Sequence, residues 1–387
     1  MLRNFFFIVT IIISISWLFS QNSCPIILIH GFLGWGRDEM AGYYYWGGRM
    51  DLEAELKNAG FEVYTVSVGP ISSSWDRAIE TFYQIKGGQV DYGNKKTEEY
   101  GIIQEPKNKK YMGLYPKWDG KHPVHIISHS LGGQTARRLE MLLKRSIPGE
   151  TSPLLSNSYE GWIKSITTIS TPHNGSTLVP IMLDVFPFAL RLAPWFGSVD
   201  NKTINQLYSF DLEHWKLERG VDESFDAFFS RLKNSPVSES RNLCSWELSP
   251  EGAKEFNQLY EEDENVYYFS FSTYSTKVKH SSPFHKPDSG MSLHLWPSGI
   301  LMGKYNNDAI DGSSYENDGV VNTISMSHPF DAEMAPFNGN PVTGIWQSVN
   351  KLKMDHQAVI GHGVFKKQHK NIFVLYKNHC SLLYSLN

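Results

Sequence analysis

The sequence predicts an α/β fold: a mostly parallel central sheet with helices on both faces. Three observations lead there. Short runs rich in Ile and Val, "PIILIHG", "FEVYTVSVG", "HIIS" and "IKSITTIS", recur along the chain, each ended by glycine or serine. Segments of helical periodicity separate them, and near-continuous apolar strands of this kind belong to sheets covered on both sides. The chain's 387 residues, 41% of them hydrophobic, suffice for one large core or two modest domains.

The chain opens with "MLRNFFFIVTIIISISWLFSQNSC", one positive charge at Arg3 and an apolar, small-hydroxyl run from Phe5 to Phe19. That is the pattern of a signal peptide over residues 1–20, cut somewhere among Ser20 to Ser23. A transmembrane anchor is the alternative, but the strand-like "CPIILIHG" follows almost at once and leaves little room for a linker. The expectation is a secreted protein, extracellular or, as a second option, lysosomal, with no stable transmembrane span after cleavage and a domain over residues 24–387. Three cysteines, Cys24, Cys244 and Cys380, allow one disulfide with one free thiol. A Cys24–Cys380 pair would tie the two ends, but the sequence does not choose. A net charge of −4 without a long basic run argues against nucleic acid as a partner.

Between the first two strands, "MDLEAELKNAG" sets Met50, Leu52, Leu56 and Ala59 on one helical face and stops at Gly60. "VHIIS" leads through "HSLGG" into the helix "QTARRLEMLLKR", and "YYFSFSTY" supplies a later strand. Residues 176–233 interrupt the alternation. Their "STLVPIMLDVFPFALRLAPWFG" is too densely apolar for a solvent-facing helix, and reads either as a buried helical insertion or as a mobile cap over an apolar site.

Ser130 stands in S-x-S-x-G between a predicted strand and helix, where a serine either caps the helix or is a nucleophile held on a sharp turn. Such a turn needs small neighbours two positions away, and Ser128 and Gly132 meet the need, with serine in place of the usual first glycine. At the end of the first strand, His30-Gly31 turns the chain so that the Phe32 N–H, with that of Leu131 after the serine, can face an oxyanion; His30 itself is expected to bond the turn. A serine needs a base, and the base a carboxylate. Asp318, before the extended run of "VVNTISM", and His356, in "KMDHQAVIGHG", fit the Ser, Asp, His order of an α/β-hydrolase; Asp311 and His362 are rivals.

Here a resemblance becomes specific. The pieces "PIILIHGFLGWGRDEM", "YYWGG", "YTVSVGPISSSWDRA", "GGQVDYG", "HIISHSLGGQTAR", "ITTISTPHNGSTLV", "ESFDAFFSRLKNSPV", "YYFSFST", "ENDGVVNTISM" and "MDHQAVIG" span residues 25 to about 361. Together they resemble the secreted true-lipase family of staphylococci and thermophilic bacilli, α/β-hydrolases that act on triacylglycerols. The resemblance implies Ser130 as nucleophile, Asp318 as acid, His356 as base, and the Phe32 and Leu131 N–H groups as oxyanion donors. It also implies an extra subdomain over 71–120 and, within 176–233, a helical lid that opens at an oil surface and offers Leu183, Val185, Phe186, Phe188, Leu190 and Trp195 to lipid. The lipid ester at an oil–water interface would be the partner.

The family's metal sites are not matched. Its structural zinc ligands fall on Asp76, Lys96, Ile102 and Glu213, of which a lysine and an isoleucine are no ligands. Tyr83, Tyr92, Tyr100, Trp118 and Trp215 are candidates to pack in the metal's place. Its calcium carboxylates fall on Ala358 and Gly363, which have no side-chain oxygen. No cofactor is therefore expected. Two N-glycosylation patterns occur, at Asn174 and Asn201, with Asn174 expected beside the cleft and unmodified. A triacylglycerol lipase is the leading reading; a phospholipase or general carboxylesterase would use the same groups, and a noncatalytic lipid-binding protein would share the scaffold.

Overall fold

The computed structural model describes residues 22–185, 209–220, 222–280, 282–305, 312–363 and 366–387. The expected signal peptide, Phe186, Phe188, Leu190, Trp195, Asn201 and Asp311 lie outside the described residues. Eleven strands are described: β1 (Ile26–Ile29), β2 (Val63–Val66), β3 (Gly88–Gln89), β4 (Lys110–Tyr111), β5 (Val124–His129), β6 (Ile163–Ile169), β7 (Tyr267–Thr273), β8 (Thr276–Val278), β9 (His285–Pro287), β10 (Met334–Pro336) and β11 (Trp346–Leu352). Seven form one sheet in the order β10-β11-β7-β6-β5-β1-β2, every pair parallel; β3 with β4 and β8 with β9 make two small antiparallel ribbons.

Strand alternation divides the core. In β1, Ile26 and Leu28 face one apolar layer and Ile27 and Ile29 the other. The first layer takes in Phe269, Phe271 and, from the helix Lys366–Tyr384, Ile372, Tyr376 and Leu383. The second is closed by Ala78, Ile79 and Phe82 of the helix Ser74–Lys86 and by Ala136, Leu139 and Leu143 of the helix Leu131–Lys144. Each Ile, Leu or Phe side chain so buried contributes about 1.5–3 kcal/mol of burial free energy. A third cluster, with Leu178, Ile181, Met291, Leu295 and Val321, lies around the helices Leu178–Val185 and Trp296–Met302.

The helix expected after β1 runs Leu52–Asn58, its N-terminus capped by Asp51, which accepts the Ala54 N–H at 3.0 Å. One expectation is corrected, and one question the sequence left open is answered. The run after Asp318 is not extended: Thr323–Met326 form a 3-10 turn, with Thr323 Oγ1 donating to the Thr273 carbonyl at 2.9 Å. Cys24, Cys244 and Cys380 are all free thiols, so no disulfide ties the ends. Asn22 ties them instead, through its backbone N–H to the Tyr384 carbonyl at 2.9 Å and its side-chain amide to the carbonyls of Leu383 and Leu386 at 2.8 Å each. No helix among the described residues is long and apolar enough to cross a membrane.

Candidate active site

Ser130 immediately follows β5 and precedes the helix Leu131–Lys144 with φ 56° and ψ −129°, a conformation few L-residues adopt. It occupies the cap position, yet its side chain makes no capping hydrogen bond. The hydroxyl is thus not used as a helix cap. The turn is crowded: a Cβ at Gly132 would collide with the Ile29 carbonyl oxygen, and Ser128, standing where a glycine is usual, turns its hydroxyl to the Thr167 carbonyl at 2.9 Å. The Leu131 N–H belongs to the first turn of the helix, where no intrahelical carbonyl receives it. Phe32 follows β1, the strand next to β5, and is half-buried.

Asp318 and His356 meet. His356 Nδ1 donates to Asp318 Oδ2 at 2.8 Å, and the His356 backbone N–H donates to the Asp318 carbonyl at 3.1 Å. The carboxylate is held on its other side by the backbone N–H groups of Val320 and Val321 on Oδ1 and by the Thr273 hydroxyl on Oδ2 at 2.7 Å. All three candidate residues are buried. Ser130, Thr273 and His356 lie at or just past the carboxyl ends of β5, β7 and β11, the edge where open parallel sheets gather their ligands. The strand before Ser130 reaches His356 directly: the rings of His129 and His356 have centroids 4.6 Å apart.

The alternative base, His362, has other partners. His362 donates from Nε2 to the Tyr44 and Tyr45 carbonyls at 3.1 and 2.8 Å, and burial pushes its pKa down to about 4. His30 bonds the turn as expected, accepting the Val68 N–H at Nε2, and burial brings its pKa down to about 3. Of the expected lid residues, Leu183 and Val185 fall in the helix Leu178–Val185. Asn174 spends its side chain on the His328 carbonyl, the Phe330 N–H and the Asn257 amide. Sequence reasoning did not single out Tyr45, His129 or Thr273; His129 was visible only as the variable position inside the serine motif.

The positions of the family's zinc do not fit that metal. Asp76 Oδ2 accepts from His214 Nε2 at 3.1 Å and from Asn242 Nδ2 at 2.8 Å. Lys96 donates to Asn242 Oδ1 at 3.2 Å with its ammonium 4.5 Å from the Tyr100 ring, and Ile102 is buried in the apolar core. Asp76 Oδ1 has no hydrogen-bond partner among the described residues, but a cation and an aliphatic chain at two of the four positions leave too few donors for a closed site. His214 stacks on Tyr92 at 4.6 Å and Trp215 meets Tyr100 edge-on at 5.9 Å. Shortly before Ala358, Asp355 binds the loop directly: its Oδ2 accepts from the Ser292 N–H and hydroxyl, both at 2.7 Å, and its Oδ1 from the N–H groups of Gln357 and Ala358.

A lipase-like C-terminal domain model matches residues 22–380. A Staphylococcus epidermidis lipase is 34% identical over 358 residues, covering 88% of this chain and 50% of that protein, and lipase 1 of Staphylococcus aureus is 32% identical over the same length. The chain spans about half the length of these curated relatives. Among solved structures, EstA from Clostridium botulinum (33% identity, TM-score 0.86) covers 95% of this chain with 88% of its own. Lipase 1 from Pelosinus fermentans (36%, TM-score 0.81) covers 95% with all of its own, and the Staphylococcus hyicus lipase (30%, TM-score 0.80) covers 94% with 96% of its own. With an all-parallel sheet that brings a serine elbow and a histidine–aspartate pair to one edge, and with these likenesses along nearly its whole length, the chain belongs to the lipase-like C-terminal domain family of α/β-hydrolases.

Proposed function

We propose that this protein is a secreted triacylglycerol lipase acting through Ser130, His356 and Asp318. The buried His356–Asp318 hydrogen bond of 2.8 Å, at the sheet edge where Ser130 sits in its strained turn, carries the reading. Ser130 Oγ attacks the ester carbonyl while His356 Nε2 takes its proton, and Asp318 steadies the imidazolium through Nδ1. The N–H groups of Phe32 and Leu131 receive the oxyanion. His356 then protonates the departing alcohol, and water repeats the sequence on the acyl-enzyme. The residues from Leu178 onward, with Leu183, Val185, Phe186, Phe188, Leu190 and Trp195, act as a lid that exchanges apolar packing for acyl chains at an oil surface. Residues 71–120 form the extra subdomain. The secreted destination rests on the apolar leader, and bacterial relatives lend the lysosomal option no support.

The test is a phosphonate ester followed by peptide mapping, then hydrolysis of emulsified long-chain triacylglycerol against phosphatidylcholine. Label on Ser130 in the wild type, none in Ser130→Ala, and a preference for triacylglycerol are expected. Label elsewhere sinks the triad, no label at all points to a lipid-binding protein, and preference for phosphatidylcholine or for small soluble esters makes it a phospholipase or a general carboxylesterase.

A further inference from the structure

We propose that Tyr45 and His129 are positioning residues that lock the oxyanion arm, the nucleophile turn and the base loop into one hydrogen-bonded unit. The proposal rests on the serine-hydrolase reading of Ser130 and His356. Its geometry is a continuous chain: the Gly31 N–H donates to Tyr45 Oη at 2.8 Å, Tyr45 Oη bonds His129 Nδ1 at 2.6 Å, and His129 Nε2 bonds the His356 carbonyl at 3.0 Å. Every member is buried.

The proton positions follow from the ends of the chain. An amide N–H can only donate and a carbonyl can only accept, so His129 carries its hydrogen on Nε2, Nδ1 accepts, and the Tyr45 hydroxyl donates to it. This is a neutral imidazole, and burial accordingly holds the His129 pKa well below its ordinary value. One set of donors satisfies all four groups.

Each end acts on a group that the reaction uses. Peptide 30–31 is held from both sides, its carbonyl by the Arg77 guanidinium and its N–H by Tyr45. Arg77 is itself fixed by the Gly69 carbonyl at 2.7 Å and Thr135 Oγ1 at 2.9 Å. The next N–H along is that of Phe32. Gly31 has no room for a side chain, since a Cβ would lie 2.6 Å from Ser130 Cβ and 2.8 Å from Tyr45 Oη. At the other end, His356 is held through its carbonyl by His129, and through its backbone N–H and its ring by Asp318.

Packing alone does not call for the hydroxyl. The Tyr45 ring lies against Trp35, Trp46 and His30, where a phenylalanine would fill the same space. The hydroxyl and the imidazole are two buried polar groups that each need the other, and breaking one link leaves a buried donor or acceptor unsatisfied at a cost of roughly 1–3 kcal/mol. The three loops therefore reach their places together, and displacement of one by about 1 Å is enough to slow chemistry by about a hundredfold.

The test compares wild type, Tyr45→Phe, His129→Gln and His129→Leu as purified full chains, by steady-state hydrolysis of p-nitrophenyl butyrate, by the rate of phosphonate labelling at Ser130, and by thermal unfolding. Tyr45→Phe is expected to lower kcat and the labelling rate together by about ten- to a hundredfold with KM within about twofold, the label remaining on Ser130. His129→Gln keeps an N–H able to reach the His356 carbonyl, and is expected to retain about tenfold more activity than His129→Leu. Tyr45→Phe placed on His129→Gln should cost less than it does in the wild type, because of the two bonds of the Tyr45 hydroxyl only the one to the Gly31 N–H remains to be lost. A Tyr45→Phe enzyme with kcat within twofold of wild type, whatever its melting point, overturns the relay and leaves a packing role. Equal activity of the two His129 variants also overturns it, and this comparison decides should Tyr45→Phe not fold. A wild type that takes no label at Ser130 overturns the serine-hydrolase reading itself and the relay with it.

Discussion

Ser130 holds φ 56° without a glycine's freedom, and a conformation of that kind costs about 1–3 kcal/mol. The strain lifts the side chain clear of the backbone at the head of the following helix, where a nucleophile has to stand. Ser130→Gly is therefore expected to abolish phosphonate labelling yet raise the unfolding free energy in urea by about 1 kcal/mol, relief of strain exceeding the added chain entropy of glycine. A lower stability in the variant would contradict stored strain. A second buried residue stores pH dependence. Glu140 is enclosed by the hydroxyls of Tyr260 and Tyr268, and burial pushes its pKa up from 4.5 to about 7. The folded state thus holds this proton more tightly than the unfolded state. Its contribution is full below pH 4.5 and is lost as pH rises through about 7, a change of roughly 3 kcal/mol. Glu140→Gln should flatten the pH–stability curve over that window, read by denaturant midpoints at successive pH values.

At the scale of elements, His356 sits on a loop and needs a fixture. Asp355, next to His356, accepts four hydrogen bonds from two loops, and the His294–Gln357 bond at 2.8 Å spans the same gap. Asp355→Ala would strand several of these donors at once. The expected result is a loss of about 3 kcal/mol in urea unfolding and about a tenfold lower kcat with little change in KM; an unchanged kcat would show that the loop keeps its place without the clamp. Strands were unevenly legible. β1, β2, β5, β6 and β7 stood out as Ile-, Val- or aromatic-rich runs, because each is flanked by strands or helices that demand apolar side chains. β11 carries Gln347, Ser348, Asn350 and Lys351, and its place is set by pairing with β7 across an irregularity between Ser348 and Asn350. A strand this polar has no periodic signal strong enough to read in isolation.

For the molecule as a whole, Asn22 and the surroundings of Asp76 are held by hydrogen bonds and ring contacts between groups of the chain itself. Asn22 joins the last turn of the final helix, and Asp76 with His214, Asn242 and Lys96 forms a network where the family's zinc would bind. Treatment of the purified protein with a strong chelator or with a reductant is accordingly expected to leave its melting temperature unchanged within about 1 °C, measured by calorimetry. A fall of several degrees with chelator, accompanied by stoichiometric metal on elemental analysis, would reveal a relocated site. The sequence by itself determined the parallel α/β layout and the tight turn at Ser130, because strand composition and small residues at a turn are local properties. Only the tertiary structure joined Asp318 to His356 by a hydrogen bond, set His362 against the Tyr44 and Tyr45 carbonyls, found all three thiols free, and brought Tyr45 and His129 into one chain of bonds. Those facts depend on distances between residues as far apart as 227 positions, and such distances are set by how the layers pack.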